Sequence, residues 1–213
     1  MTVREKIITE MGKQIEMKSI KVITMDEIAQ NVGISKRTLY EIFPSKESLI
    51  KEVLIAFIQK VREMVEEIID GNDNIFVKML KIIYLKHQML EKIRFERITE
   101  IRKTYTGLFN EIFDKTAWKD GKYDGYKFFQ MAIQEGFIME KINVDFIISM
   151  IDLNMRNAMT DVYLKENCFY PVKTIAILHI IIIIRGISTL KGIEIIDEFT
   201  SKIKDINNIE INK

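Results

Sequence analysis

Residues 24–46, TMDEIAQNVGISKRTLYEIFPSK, predict two short helices joined by a tight turn. Thr24 is a good N-cap for the first of them, and Glu27 stands where it would complete a capping box. Gly33 ends this helix where a left-handed backbone is needed, and Ser35 caps the second helix. Two short amphipathic helices with such a turn are typical of a helix-turn-helix, whose second helix enters the major groove of DNA.

The first turn of the second helix carries two adjacent cations, Lys36 and Arg37. A cation is poorly placed at a helix N-terminus, where the helix dipole favours anions, so the pair indicates a phosphate-rich partner. The alternative is that both side chains are simply solvated. In a helix-turn-helix these positions reach base edges, and Arg37 has the planar fork that suits guanine. The residues expected to contact DNA are Thr24, Ser35, Lys36, Arg37, Thr38, Tyr40 and Lys46.

The stretch GISKRTLYEIFPSKESLI, residues 33–50, resembles the signature of the TetR family of transcriptional regulators. This stretch has the family's residue types at the family's spacing, in the order Gly, an apolar residue, Ser, Thr, Leu, Tyr, Phe and Ser-Lys-Glu. Upstream the chain departs from the family, whose Ala-Ala and Gly-aromatic pairs are replaced by Met11-Gly12 and Ser19-Ile20. The resemblance implies a DNA-binding head, a regulatory part that dimerises through its last two long helices, and a small-molecule effector.

Composition favours an all-α protein, because the 213 residues include only two prolines and nine glycines and no convincing alternating stretch. We expect a three-helix DNA-binding domain over residues 1–50, a helical regulatory and dimerisation domain over 51–207, and a frayed tail over 208–213. Predicted helices include 3–17, 94–114 with a possible break near Gly107, and a last long helix ending near Lys191. The formal net charge of +1 means that DNA must be bound by a local patch.

The chain shows no signs of export or membrane insertion. Its one cysteine, Cys168, excludes an internal disulfide and fits a reducing cytoplasm. The N-terminal residues 1–13 contain acidic side chains and no apolar run, unlike a secretory signal. The apolar run from Ile175 to Ile184 is shorter than the roughly 20 residues that a membrane span needs. We therefore expect a cytoplasmic protein.

Two long C-terminal helices are predicted to form a homodimer interface. The helix containing residues 175–184 is apolar on all sides and must be covered all round, which a second subunit would achieve as a four-helix bundle. The alternative is that these helices are the core of a single subunit. The expected interface residues are Ile151, Met155, Ala158, Met159, Leu178 and Ile182.

The segment from residue 84 to residue 150 is rich in Phe, Tyr and Met. Core packing explains such a set by default. The family resemblance instead implies a pocket for a small, mostly apolar effector, with a few polar groups that orient it. The candidate ligand-binding residues are Tyr84, His87, Phe109, Phe113, Phe129, Met131, Met150 and Asn154.

Catalysis, a cofactor and a metal are not expected. His87 and His179 stand far apart in sequence without a carboxylate or cysteine at metal-binding spacing, and no phosphate-cradling glycine loop occurs. The sequence therefore predicts a ligand-responsive regulator, with repression favoured over activation on family resemblance alone. A DNA-binding or coactivator protein of the same fold, without an effector, is the alternative.

Overall fold

The computed structural model describes residues 1–92, 95–116, 125–160 and 172–203. Over these residues the protein is all-α, as predicted, and Ile138 and Ser188 form an isolated antiparallel bridge. The helices are α1 (Val3–Met17), α2 (Met25–Val32), α3 (Lys36–Ile42), α4 (Lys46–Asp70), α5 (Ile75–Lys92), α6 (Phe95–Thr104), α7 (Thr106–Thr116), α8 (Gly125–Gln134), α9 (Val144–Thr160), α10 (Val172–Ile187) and α11 (Leu190–Ser201).

The helix bounds agree with the sequence at α1 and differ at the end of α10. The stretch predicted as helical over 94–114, with a break near Gly107, is two helices, α6 and α7, which are separated at Tyr105. Helix α10 ends at Ile187, before the predicted end at Lys191. It ends early because Thr189 caps α11, accepting a hydrogen bond from the backbone N–H of Gly192 at 3.3 Å.

The chain divides into two compact units, and each is described by itself. The first comprises Met1–Met64 and Met89–Ala117, and the second comprises Val65–Gln88 and Trp118–Lys213. The boundary expected at residue 50 lies inside the first unit, which also contains α6 and α7. As a boundary between a DNA-binding and a regulatory function, residue 50 stays a prediction.

The core of the first unit joins the helix-turn-helix to α6 and α7. Apolar side chains from α1, α2, α3, α4, α6 and α7 are buried in one cluster. The ring of Phe43 is also covered by the Arg4 guanidinium, 4.6 Å from the ring centroid. The buried members include Ile7, Met11, Ile28, Ala29, Leu39, Phe43, Leu49, Ile50, Leu54, Ile101, Leu108 and Ile112. The helix-turn-helix is therefore held in place partly by residues far downstream in the sequence.

In the second unit, α8 packs on α9, α9 on α10, and α10 on α11. The rings of Phe76 and Phe137 stack with their centroids 5.3 Å apart. The Phe137 carbonyl accepts a hydrogen bond from the Thr189 N–H at 3.0 Å, so the end of α8 is tied to the start of α11. Gly192 lies so close to this carbonyl that a Cβ there would be 2.2 Å from its oxygen.

Helix α10 buries one side within its own unit and exposes another. Ile177 and Ile184 are buried, whereas the Ile182 side chain is 64% exposed. On the neighbouring helix α9, Phe146 and Leu153 are also largely exposed. Over the described residues, no helix combines the length and the apolar character needed to cross a membrane.

Candidate nucleic-acid interface

The turn between α2 and α3 has the geometry that its sequence predicts. The Thr24 hydroxyl caps α2 by accepting a hydrogen bond from the Glu27 N–H at 3.2 Å. Gly33 follows α2 with φ +75°, the left-handed region that favours glycine, and the Ile34 N–H reaches back to the Ala29 carbonyl at 3.0 Å. Ser35 caps α3 by accepting from the Thr38 N–H at 3.0 Å. These contacts set the angle between the two helices.

The predicted capping box at α2 differs from the expectation in one respect. The Glu27 carboxylate lies against the Lys18 ammonium group, which comes from the end of α1. Helix α1 instead carries a complete capping box, in which Thr2 and Glu5 satisfy each other's backbone N–H groups. Glu27 thus ties α2 to the residue that follows α1.

The first turn of α3 presents its polar side chains to solvent while Leu39 is buried beneath it. Lys36 and Arg37 are exposed, and the Arg37 side chain is 89% accessible. Thr38 is half-buried and Tyr40 is exposed. The structure therefore brings the residues predicted to reach base edges onto one accessible helix end.

Both cations of this turn have carboxylate partners in the same chain. The Lys36 ammonium lies 2.8 Å from the Asp26 carboxylate on α2, and this hydrogen bond raises the pKa of Lys36. The Arg37 Nε lies 2.9 Å from the Glu41 Oε1, one helical turn further along α3. The surface that we expect to face DNA therefore holds acidic groups beside its basic ones.

Lys46, at the start of α4, points back into the first unit. Its Nζ donates to the Ile23 carbonyl at 2.6 Å and also to the Ile20 carbonyl. Burial lowers the pKa of Lys46, and the negative charge of Glu100 opposes that effect. A phosphate contact by Lys46 would require its ammonium group to leave these two carbonyls.

Glu100 of α6 also contacts the turn before Thr24, which the sequence did not predict. Its carboxylate accepts hydrogen bonds from the Ser19 hydroxyl and from the Ile20 N–H, the latter at 3.2 Å, and Arg97 Nη1 lies 3.4 Å away. Burial raises the pKa of Glu100, but the hydrogen bonds and the charge of Arg97 outweigh it, so the pKa is lowered. Together with Lys46, Glu100 holds the turn that leads into Thr24.

The candidate effector residues fall into both units. Phe109 is packed against the core of the first unit. In the second unit, His87 and Phe129 are buried and Met131 is exposed. Tyr84 makes an edge contact with the Phe199 ring, with 6.3 Å between the ring centroids. Met150 is half-buried, also in the second unit. The side chains of Phe113 and Asn154 lie outside the described residues.

The candidate dimer residues lie on α9 and α10. Ile151 is buried within the subunit, Leu178 is half-buried and Ile182 is exposed. The side chains of Met155, Ala158 and Met159 lie outside the described residues. Among the residues that the structure does describe, no three or more His, Cys, Asp or Glu side chains are grouped as a metal site would require.

Comparison with known proteins identifies the DNA-binding part. Residues 13–53 match the model of the bacterial regulatory proteins of the TetR family. The chain is also similar to YvaF, an uncharacterized HTH-type transcriptional regulator of Bacillus subtilis (strain 168), with 26% identity over 117 residues. That match covers 54% of this chain and 61% of YvaF, so it spans less than two thirds of the relative's length.

Solved structures extend the similarity to the whole fold. A TetR-family transcriptional regulator from Marinobacter aquaeolei VT8 has a TM-score of 0.61 at 20% identity, with 93% of this chain and 97% of that one covered. A transcriptional regulator from Cytophaga hutchinsonii ATCC 33406 has a TM-score of 0.60, also at 20% identity, covering 87% and 98%. The helix-turn-helix lies inside the segment 13–53 that matches the TetR family model, and the fold of the chain as a whole is similar to that of these two regulators.

Proposed function

We propose that this regulator is a repressor that binds a palindromic operator as a homodimer and leaves it when a small, mostly apolar effector binds. The observation that carries the DNA-binding half is the accessible first turn of α3, where Lys36, Arg37 and Thr38 lie above a buried Leu39. In a helix-turn-helix dimer, two such turns sit in successive major grooves about 34–36 Å apart. The effector and the sign of regulation rest on the family resemblance.

The contacts divide by chemistry into those that read bases and those that hold phosphates. Arg37 is proposed to contact a guanine edge, since its fork matches the two acceptors that guanine shows in the major groove. The Thr24 and Ser35 caps and the exposed Tyr40 are proposed to hold phosphates, which position the protein without reading sequence. For Lys46 the two carbonyl partners favour a structural role, fixing the turn before Thr24.

The DNA contact is tested with a duplex that the protein itself selects from a randomised library. Arg37→Ala should weaken binding to that duplex by about 1–3 kcal/mol and relax the preference at one base position. Arg185→Ala removes an arginine that is likewise exposed and ion-paired, but to Asp197 in the second unit, and should leave binding unchanged. Equal affinities for Arg37→Ala and the unmodified protein would refute the assignment.

The homodimer is supported by the apolar side chains that α9 and α10 expose. Phe146 and Leu153 are seven residues apart on α9, which places them on the same side of that helix, and Ile182 is exposed on α10. Exposed large apolar groups in a cluster are typical of protein interfaces. A second copy of the chain, packing these helices against their symmetry mates, would cover them.

The effector is proposed to bind within the second unit, where Tyr84, His87, Phe129 and Met150 supply aromatic, thioether and imidazole groups. Such a lining suits a mostly apolar ligand with a few polar atoms. A ligand that binds only the folded state stabilises it by roughly 2.7 kcal/mol at a hundred times its dissociation constant. A thermal-shift screen of hydrophobic metabolites, followed by DNA release with each hit, tests the proposal. Hits that stabilise the protein and leave it on DNA would refute effector-driven release.

A further inference from the structure

The helix-turn-helix is electrically neutral, which is unusual for a surface that binds a polyanion. Over residues 24–46 the basic side chains are matched in number by acidic ones, namely Lys36, Arg37 and Lys46 against Asp26, Glu27 and Glu41. Most of the sequence-independent affinity of a protein for DNA comes from neutralising phosphates with cations. A surface without net charge attracts the DNA phosphates less strongly than a basic one.

Two of the three acidic groups, Asp26 and Glu41, lie in contact with the two cations that face outward. Lys36 and Asp26 come from different helices, α3 and α2, and their side chains are 61% and 62% accessible, so both lie on the solvent side. Arg37 and Glu41 are one turn apart on α3. In each pair the carboxylate occupies the place beside the cation that a phosphate or a base edge would take.

We propose that Asp26 and Glu41 are internal counter-ions that DNA must displace, and that they thereby limit the affinity of this regulator for DNA of any sequence. The inference rests on the proposed function, since it assumes that Lys36 and Arg37 contact DNA. Ion pairs between exposed side chains are individually weak, so DNA can break them. Breaking a pair costs free energy, and this cost is subtracted from the gain of placing its cation against DNA. The two acids act through the neighbouring cations and not by touching DNA.

The proposal is tested with Asp26→Asn and Glu41→Gln, which preserve side-chain size and remove one negative charge each. The probes are two labelled duplexes of about 30 base pairs, long enough for two half-sites. One is selected from a randomised library by the unmodified protein, and the other has mixed sequence. Each variant should bind both duplexes about two- to five-fold more tightly near 0.1 M salt. The plot of log affinity against log salt should become steeper by up to about one unit.

Glu111→Gln is the matched control, because it removes the same charge from an exposed ion pair with Lys51 in the same unit, on α7 and α4 rather than on α2 or α3. Its affinity for both duplexes should stay within about 1.5-fold of the unmodified protein. A double-mutant cycle adds a readout that a purely structural effect would not produce. The gain from Asp26→Asn should disappear in a Lys36→Gln background, and the gain from Glu41→Gln in an Arg37→Gln background.

Unchanged or weaker binding by both acid variants would overturn the inference, as would a gain that persists without the neighbouring cation. A Glu41→Gln variant that changes the preferred base while leaving the mixed duplex unaffected would also overturn it, since Glu41 would then read a base. These outcomes leave the proposed DNA contacts standing as long as Lys36→Gln and Arg37→Gln weaken binding. If those two variants bind like the unmodified protein, the contacts and the inference both fail.

Discussion

Replacing Lys46 with methionine would remove the ammonium group and keep most of the aliphatic stem. Two N–H···O=C hydrogen bonds to Ile23 and Ile20 would be lost. A hydrogen bond that involves a charged group contributes about 1.5–3 kcal/mol, and holding a lysine side chain in one rotamer costs up to about 2 kcal/mol. Because the Lys46 side chain is only half-buried, solvent screens part of these contributions, and we expect the free energy of unfolding to fall by about 1–2 kcal/mol.

The assay combines urea unfolding, followed by circular dichroism, with hydrogen exchange of the amides between residues 18 and 24. Lys46→Met should unfold at lower urea and exchange faster in that turn, while the dependence of DNA affinity on salt keeps its slope. Lys51→Met is the matched control, since it lies on the same helix and loses only an exposed ion pair with Glu111. Unchanged stability together with a slope reduced by about one unit would refute the reasoning and make Lys46 a phosphate contact.

Three further predictions concern the rest of the molecule. Gly192→Ala should destabilise the protein, because its Cβ would lie 2.2 Å from the Phe137 carbonyl oxygen. Gly186→Ala on α10 has open space around its Cβ and should stabilise the protein by up to about 1 kcal/mol. Equal thermal unfolding temperatures for the two variants would contradict this. Since its pKa is lowered, Glu100 stabilises the fold above its ordinary value of 4.5, and this contribution disappears as the pH falls below it. The stability difference from Glu100→Gln in urea unfolding should therefore shrink below pH 4.5, and a difference that stays constant down to pH 3 would argue against that role. Ile182→Glu should sediment as a monomer, because the charge would be buried unpaired between subunits. Leu190, which is even more exposed in the subunit, lies on α11, and Leu190→Glu should not change the oligomeric state; a dimer in both variants would move the interface elsewhere.

The helix-turn-helix was predictable because its determinants are local. The cap at Thr24, the left-handed residue at Gly33 and the second cap at Ser35 act over a few neighbouring positions. Each position favours a small set of residue types because of its backbone geometry. The predicted end of α10, near Lys191, was wrong for a related reason. Thr189 signals a helix start as clearly as the earlier caps, but the apolar periodicity continues across it.

The contacts of Lys46 and Glu100 could not be predicted, because they depend on partners far apart in the chain. Glu100 is separated from Ser19 by 81 positions, and nothing in its own surroundings distinguishes it from other acids on amphipathic helices. In the sequence, Lys46 looks like any exposed cation at the start of a helix. Only the packing of α6 beside the end of α1 reveals that both groups hold the same turn.

The shared core of the first unit also bears on how this regulator can be recombined with others. Leu54, Ile101, Leu108 and Ile112 are buried in the same cluster as the helix-turn-helix, although they lie after residue 50. A hybrid built by grafting residues 1–50 onto a different regulatory part would leave the apolar side chains of α1, α2, α3 and the start of α4 facing a foreign surface, with cavities or clashes in place of the missing side chains. The fold of the helix-turn-helix in this chain therefore depends on residues beyond position 50. A functional exchange would have to move α6 and α7 together with the N-terminal helices.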